Sequence, residues 1–114
     1  MSFSELELKR IDKEVGGLCE RRSPLEIRDK FSLGYRVKGH EVMIFARRPL
    51  WSDPTEWMEI DTVKLKYVRS ASEWQLYWQR ANGKWVRYTP LPSSRDLQTL
   101  LREVESDPLG CFAG

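Results

Sequence analysis

The most distinctive side-chain chemistry in this sequence is concentrated in one short segment. It holds two adjacent arginines, two tryptophans and a carboxylate, namely Arg47, Arg48, Trp51, Asp53 and Trp57. Guanidinium groups pair with phosphate or carboxylate through two parallel hydrogen bonds and also stack on aromatic rings. The segment therefore predicts a corner that binds an anion or a peptide. A competing interpretation is an internal network of arginines and carboxylates under a tryptophan lid, because charged loop residues usually pair with one another or with solvent.

The same corner also supports a catalytic hypothesis. A hydrolase-like enzyme would place its site at Arg47, Arg48, Trp51 and Asp53, together with a neighbouring acid. This hypothesis requires a concave pocket in which these side chains converge and at least one carboxylate is desolvated.

Other sequence signals for catalysis or metal binding are weak. Two cysteines and one histidine are too few ligands for a zinc site, and they lack the usual CxxC or HxxxH spacing. His40 lies in a predicted hairpin tip, and a nucleophilic pair would need Cys19 or Cys111 beside it. No glycine-rich phosphate loop occurs. We therefore assign no catalytic residue, no metal ligand and no cofactor from the sequence, and we favour a non-catalytic protein.

A second candidate surface consists of aromatic and basic residues on the predicted strands. Because side chains alternate between the faces of a strand, Trp74 and Trp78 are expected on one face and Tyr77 on the other. The face turned away from the core should carry rings among six cations, namely Arg36, Lys38, Lys64, Lys66, Arg80 and Arg87. Arg87 and Tyr88, on the fifth predicted strand, complete our candidate binding residues.

Two interpretations of this second surface are open. Sheet surfaces that bind single-stranded nucleic acids use rings for the bases and cations for the phosphates. Cross-strand pairs of rings, with the stems of Arg and Lys packed over them, also stabilise small sheets that have no such function. The lack of an RNP-like motif favours the second interpretation.

Length and charge limit the class of protein. The 114 residues suit a single domain, and no run approaches the roughly eighteen apolar residues of a membrane span. The start lacks the order of a signal peptide, so we expect two reduced thiols in a cytoplasmic protein. The net charge is only +2, but residues 21–88 carry fourteen basic and eight acidic side chains, a local net charge of +6. This basic middle favours an anionic partner.

Two amphipathic helices are predicted at the ends of the chain. Ser4 begins a capping box that starts the first helix, which we assign to residues 1–20. Ser93 or Ser94 is expected to cap the second helix, which we assign to residues 94–106.

The segment between the helices has the two-residue periodicity of strands and predicts an antiparallel sheet over residues 31–88. A change in the parity of the apolar residues near Asp61-Thr62 predicts a bulge. The second strand is expected to run from Val42 to Arg47, with pairing ending in the loop from Arg48-Pro49 to Pro54. The overall prediction is an α+β fold over residues 1–114. It is a single two-layer domain with an N-terminal helix, a five-stranded antiparallel meander and a C-terminal helix.

These segments also carry a resemblance along nearly the whole chain. The matching segments are Cys19-Glu20-Arg21-Arg22, Tyr35-Arg36-Val37, Arg47-Arg48-Pro49, Trp51, Asp53-Pro54, Trp57, Trp74-Gln75-Leu76-Tyr77-Trp78, Trp85-Val86-Arg87-Tyr88 and Asp107-Pro108-Leu109-Gly110-Cys111-Phe112. The chain resembles a family of small bacterial proteins classified as a domain of unknown function. The resemblance implies a bacterial, cytosolic α+β protein and carries over no activity, substrate or site residue.

The leading hypothesis from the sequence is a small cytoplasmic binding module. Its basic, aromatic-rich sheet and the loop of residues 47–57 would contact nucleic acid or an acidic protein surface, and no membrane is expected. Alternatives are the hydrolase-like enzyme described above and an accessory protein that acts through a protein partner.

Overall fold

The computed structural model describes residues 3–112 as one α+β domain with two helices and a six-stranded antiparallel sheet. The helices are α1 (Glu5–Arg21) and α2 (Leu97–Ser106). The strands are β1 (Ser32–Lys38), β2 (Glu41–Pro49), β3 (Trp57–Val68), β4 (Glu73–Gln79), β5 (Trp85–Arg87) and β6 (Ser93–Ser94). Single 3-10 turns lie at Leu25–Ile27 and Arg69–Ala71. The predicted domain of residues 1–114 and helix of residues 1–20 include residues 1–2 and 113–114, which lie outside the described residues.

The α+β prediction is confirmed, with one additional strand. Strands β1 to β5 form a meander in chain order, and β6 pairs with β4. Ser93 and Ser94 were expected to cap α2, but they form β6, and Asp96 caps the helix by accepting a hydrogen bond from the Gln98 backbone N–H. The reason is that β5 ends at Arg87, which leaves part of β4 as an open edge for β6 to cover.

The bulge that was predicted near Asp61-Thr62 is present in β3. Ile44 pairs with Val63 and Phe45 pairs with Asp61, so Thr62 is the additional residue. The Thr62 hydroxyl donates to the carbonyl of Ile44 over 3.3 Å. An extra residue reverses which positions face each side of the sheet. Acidic residues before the bulge and lysines after it consequently lie on the same face.

Strand β2 continues further than predicted, as far as Pro49, which pairs with Trp57. The Leu50 N–H donates to the Glu56 carbonyl over 2.8 Å and closes the hairpin. Because hydrogen-bonded and non-hydrogen-bonded pairs alternate in an antiparallel ladder, the nitrogen of Pro49 faces away from β3. Strand β1 already ends opposite Arg47, so no donor is needed on that side.

The two helices cover one face of the sheet, as the patterning predicted. The core there is apolar, with fully buried side chains from both helices and from the central strands, including Val15, Leu18, Leu100, Val42, Ile44, Leu65 and Leu76. A bidentate contact between Arg21 and Glu105 joins the C-terminal turns of α1 and α2. Within residues 3–112 no helix is both long enough and apolar enough to cross a membrane. The other face of the sheet has no helix over it, and we call it the open face.

Candidate functional site

The open face divides into two groups of charged and aromatic side chains. The first, which we call the paired cluster, consists of Arg36, Phe45, Arg47, Trp57, Glu59 and Asp61 on β1, β2 and the start of β3. The second, which we call the cation patch, consists of Lys64, Lys66, Tyr77, Trp85 and Arg87 on the end of β3, β4 and β5. The bulge at Thr62 separates the two groups along β3.

The charges of the paired cluster neutralise one another. Arg36 contacts Glu59, with Nη1 to Oε1 at 3.7 Å, and donates from Nη2 to Asp61. The Nε of Arg47 lies 3.3 Å from Oε2 of Glu59. Both guanidinium groups also lie over rings, that of Arg36 at 5.0 Å from the centre of Phe45 and that of Arg47 at 5.9 Å from the centre of Trp57. Two cations and two carboxylates give a net charge of zero, so this group needs no external counterion.

The cation patch has three cations and no carboxylate. The Lys64 Nζ lies 4.7 Å from the centre of the Tyr77 ring and 5.4 Å from that of Trp85. Arg87 lies 5.6 Å from the Tyr77 ring, and its Nε and Nη2 donate to the Pro92 carbonyl at 3.3 and 3.0 Å. Among residues 3–112 none of these cations has a carboxylate within 4.0 Å. The patch therefore has a net charge of +3 and its cations are available for an external anion.

The register aligns part of both groups in one row across the sheet. The paired positions are, in order across five strands, Arg36, Met43, Lys64, Tyr77 and Arg87. Neighbouring strands lie about 4.8 Å apart, so the row spans roughly 19 Å. Arg36 at one end of the row is neutralised by Glu59 and Asp61. Lys64 and Arg87 lie two strands apart, roughly 10 Å, with Tyr77 between them, so these two cations can contact an extended anionic chain that crosses the strands.

The two cysteines and the histidine are packed against neighbouring side chains of the fold. Cys19 is buried, and burial raises the pKa of its thiol to about 11. Burial and the nearby Asp107 also raise the pKa of the Cys111 thiol, so both thiols are protonated at neutral pH. His40 packs against Phe3, with 5.4 Å between ring centres. Within residues 3–112 no group of three or more His, Cys, Asp and Glu side chains is arranged to hold a metal ion.

A comparison with known families gives one match. The family model described as "Domain of unknown function (DUF3024)" matches residues 3–114. The chain belongs to this family. No curated protein and no solved structure matches the chain. Family membership agrees with the resemblance noted in the sequence and supplies no site residues, whereas the bacterial and cytoplasmic assignments stay predictions.

In this DUF3024 chain the side chains of the predicted corner do not converge on one point. Arg47 and Trp57 lie on the open face, while Arg48, one position further along β2, lies on the opposite side of the strand. Trp51 is at the hairpin tip and is 97% exposed. Asp53 accepts hydrogen bonds from the backbone N–H and hydroxyl of Thr55, which lower the pKa of its carboxyl. The side chains of the predicted corner therefore point in three different directions.

The corner and Arg87 also lie far apart. Seven positions separate Trp57 from Lys64 on β3, which corresponds to about 20 Å along the strand. Arg87 lies in the same cross-strand row as Lys64, so it is also about 20 Å or more from Trp57. The candidate residues around 47–57 and those around 87 therefore belong to different parts of the molecule.

Tyr88 lies in the core and not on the open face beside Arg87. Its side chain is 1% exposed and its ring packs on Phe112, with 4.9 Å between centres. Its hydroxyl donates to Oε2 of Glu103 over 2.6 Å, and burial together with Glu103 raises its pKa. Consecutive residues of a strand face opposite sides, so Arg87 and Tyr88 cannot share one surface.

The sequence analysis expected Lys64 and Lys66 on the face turned away from the core, and Tyr77 on the face opposite Trp74 and Trp78. The register places all three on the open face, but they were not chosen as site residues. Trp85 completes the patch and was also not chosen. Arg80, which was expected on the same face, follows the end of β4, and its guanidinium lies 6.0 Å from the ring of Trp78, a residue packed against the core. The alternation of Lys64 and Lys66 opposite Tyr77 was the signal that could have located the patch.

Proposed function

We propose that this chain is a binding module that holds a single-stranded nucleic acid on the cation patch. The observation that carries the proposal is that, among residues 3–112, Lys64, Lys66 and Arg87 form no ion pair within 4.0 Å, even though Glu41 is the cross-strand neighbour of Lys66. The arginines of the paired cluster, by contrast, are neutralised by their own carboxylates. Phosphate contacts supply most of the affinity of such proteins, independently of sequence.

The positions of the three cations suit phosphate groups. The Pro92 carbonyl fixes the guanidinium of Arg87 through Nε and Nη2, which leaves Nη1 as a donor for a phosphate oxygen. Lys64 is held between the rings of Tyr77 and Trp85. Holding a cation in place before binding reduces the conformational entropy that is lost when a ligand binds.

The rings favour a nucleic acid over an acidic protein surface. Tyr77 lies between Lys64 and Arg87, so its ring positions these two cations. Trp85 is half-buried at the outer strand β5, and among the cations of residues 3–112 its ring contacts Lys64 alone, which leaves ring surface for stacking a base. Stacking of a base on an aromatic side chain contributes about 1–3 kcal/mol. An acidic protein would use the cations without requiring the ring.

Fluorescence anisotropy with labelled single-stranded DNA and RNA tests the proposal. Three phosphate contacts predict that log K falls with log salt concentration with a slope of about −2, since each contact on a single strand contributes about −0.7. Polyglutamate of matched length is the control for charge alone. Absence of binding at 50 mM salt, or binding that salt does not weaken, would contradict the proposal. Equal affinity for polyglutamate would reassign the patch to acidic proteins.

The geometry gives less support to the hydrolase-like alternative. That hypothesis needs Arg47, Arg48, Trp51 and Asp53 around one desolvated carboxylate. Asp53 is exposed, its pKa is lowered, and Trp51 projects from the hairpin tip.

A further inference from the structure

A mainly apolar cavity of about 240 Å³ lies on the helix side of the sheet, next to the bulge at Thr62. Its walls come from the C-terminal halves of both helices, from β1 and β2 and from the chain end, including Leu18, Phe31, Leu33, Ile44, Val104 and Phe112. Arg22, Glu105 and Asp107 lie at its rim. No residue of our candidate binding site contributes to these walls.

The wall formed by the chain end is held by specific contacts. Asp107 ends α2 in the left-handed conformation with φ of 42°, and Gly110 has φ of 70°, so the chain turns back on the helix. The Asp107 Oδ1 accepts the Phe112 N–H over 3.1 Å. The Phe112 ring then packs against buried Tyr88. The wall is therefore an ordered part of the fold.

The polar groups along the cavity already have partners within the chain. The Thr62 hydroxyl donates to the Ile44 carbonyl, and Arg22 Nη1 donates to the Glu105 carbonyl over 2.9 Å. Water is retained in a cavity where two to four polar groups bind it, and apolar cavities stay dry and bind apolar molecules. Among residues 3–112, the unpaired donors along this lining are the remaining N–H groups of Arg22 at the rim, so the interior of the cavity favours an apolar ligand over ordered water.

The charges at the rim balance. Arg22 provides one positive charge at the rim and Glu105 and Asp107 provide two negative ones, and Arg21, which does not line the cavity, neutralises Glu105 from outside it. The carboxylate of Glu105 is engaged by Arg21 with contacts of 2.8 and 3.3 Å, which lower its pKa. A rim without net charge offers no advantage to an anionic or a cationic ligand.

We infer that this cavity is a binding site for a small, uncharged, mainly aromatic molecule. A cavity of about 150 Å³ holds benzene, so the larger volume here suits a molecule with two fused rings. The free N–H groups of Arg22 allow one hydrogen-bond acceptor on the ligand at the rim. The cavity shares no residue with the cation patch, so an experiment can refute one of the two proposals without affecting the other.

Titration of the ¹⁵N-labelled protein with indole, followed by amide chemical shifts, tests the inference. We expect saturable shifts at Leu18, Leu33, Ile44, Val104 and Phe112, with Kd of about 1 mM or tighter for a ligand of this size. Indole-3-acetate and tryptamine, which add a negative and a positive charge, should bind no more tightly than indole. Absence of saturable shifts, shifts confined to other residues, or tighter binding of either charged compound would overturn the inference.

Two variants that fill the cavity provide the matched comparison. Val104→Phe and Leu33→Phe each add side-chain volume from a different wall, and each should reduce indole affinity at least tenfold. Arg102→Gln, at an exposed position on the same helix, is the control and should leave the affinity unchanged. Retention of wild-type affinity in a folded filling variant contradicts the proposed location. If neither variant folds, the shift map of the wild-type protein decides the question alone.

Discussion

The paired cluster and the cation patch lie on the same face of the same sheet and have similar residue types. Each combines rings with two or three basic side chains. They differ in the carboxylates: Glu59 and Asp61 neutralise Arg36 and Arg47, whereas in the part of the chain that the structure describes no carboxylate lies within 4.0 Å of Lys64, Lys66 or Arg87. The comparison teaches that a basic, aromatic surface becomes a candidate for anion binding only where the fold leaves its cations without an internal carboxylate partner.

The bulge at Thr62 accounts for much of this difference. Without the extra residue, Glu59 and Asp61 would lie on the face opposite Lys64 and Lys66. With it, all four reach the open face, but the acids lie beside β1 and β2 arginines and the lysines lie beside β4. One additional residue thus places acids and lysines on one face at different positions along β3.

Removing two cations of the patch should have the largest effect. We expect the double substitution Lys64→Ala and Arg87→Ala to weaken single-stranded nucleic acid binding about 100-fold, since each charged hydrogen bond contributes about 1.5 kcal/mol or more. The measurement is the anisotropy titration at 50 mM salt.

The paired cluster supplies the matched control for this variant. Arg36→Ala with Arg47→Ala removes the same number of charges from the same face, and the affinity should change by less than threefold, because these arginines are neutralised in the free protein. Equal losses in the two double variants would mean that net charge alone drives binding and that the patch is not a site.

Replacing one ring in each group tests whether bases stack on the cation patch and not on the paired cluster. We expect Trp85→Ala to reduce affinity about tenfold, within the range for loss of one stacked base. Trp57→Ala, whose ring is 41% exposed in the paired cluster, should leave affinity unchanged. Anisotropy gives the affinity, and circular dichroism in urea checks that both variants fold. A loss of affinity in Trp57→Ala that matches Trp85→Ala would contradict the distinction between the two groups.

Removing the carboxylates should convert the paired cluster into a second binding region. Glu59→Ala with Asp61→Ala changes its net charge from zero to +2 and releases both arginines. We expect affinity to increase about three- to tenfold at 50 mM salt, with a steeper dependence on salt. Glu20→Ala with Glu26→Ala makes the same change in charge at exposed positions outside the sheet and is the control. An equal gain of affinity in the control would show that added positive charge strengthens binding wherever it lies on the protein.

The sequence was sufficient to predict which face of the sheet a strand residue occupies. It was not sufficient to predict which side chain that residue pairs with. The bounds of β3, its bulge and the open-face positions of Lys64 and Tyr77 follow from two-residue periodicity, which is a local property. Pairing of Arg36 with Asp61 depends on the register of three strands, and twenty-five positions separate these residues. Local patterns do not fix such contacts, so the sequence could not distinguish a neutralised arginine from an available one.

Tyr88 illustrates an error that the sequence could have prevented. It was chosen as a binding residue together with Arg87, although adjacent strand residues face opposite sides. Applying the alternation strictly assigns Arg87 to the open face and Tyr88 to the core, where it is found. By contrast, β6 could not be inferred from periodicity, since a two-residue strand forms where the edge of β4 is left open.

The smallest expected effect concerns stability. The ion pair between Arg47 and Glu59 is about half exposed on both sides, at 49% and 48%. Exposed pairs of this kind typically contribute about 0–1 kcal/mol, because solvent screens the charges and ordering two long side chains costs entropy. Arg47→Ala should therefore change the free energy of unfolding by less than about 0.5 kcal/mol, like Lys66→Ala, which breaks no ion pair. Urea is the suitable denaturant because guanidinium salts would screen the interaction.

A loss above roughly 1.5 kcal/mol in Arg47→Ala alone would mean that the paired cluster stabilises the sheet cooperatively. In that case the arginines would be retained for folding, and the contrast between the two groups would be one of structural role as well as charge.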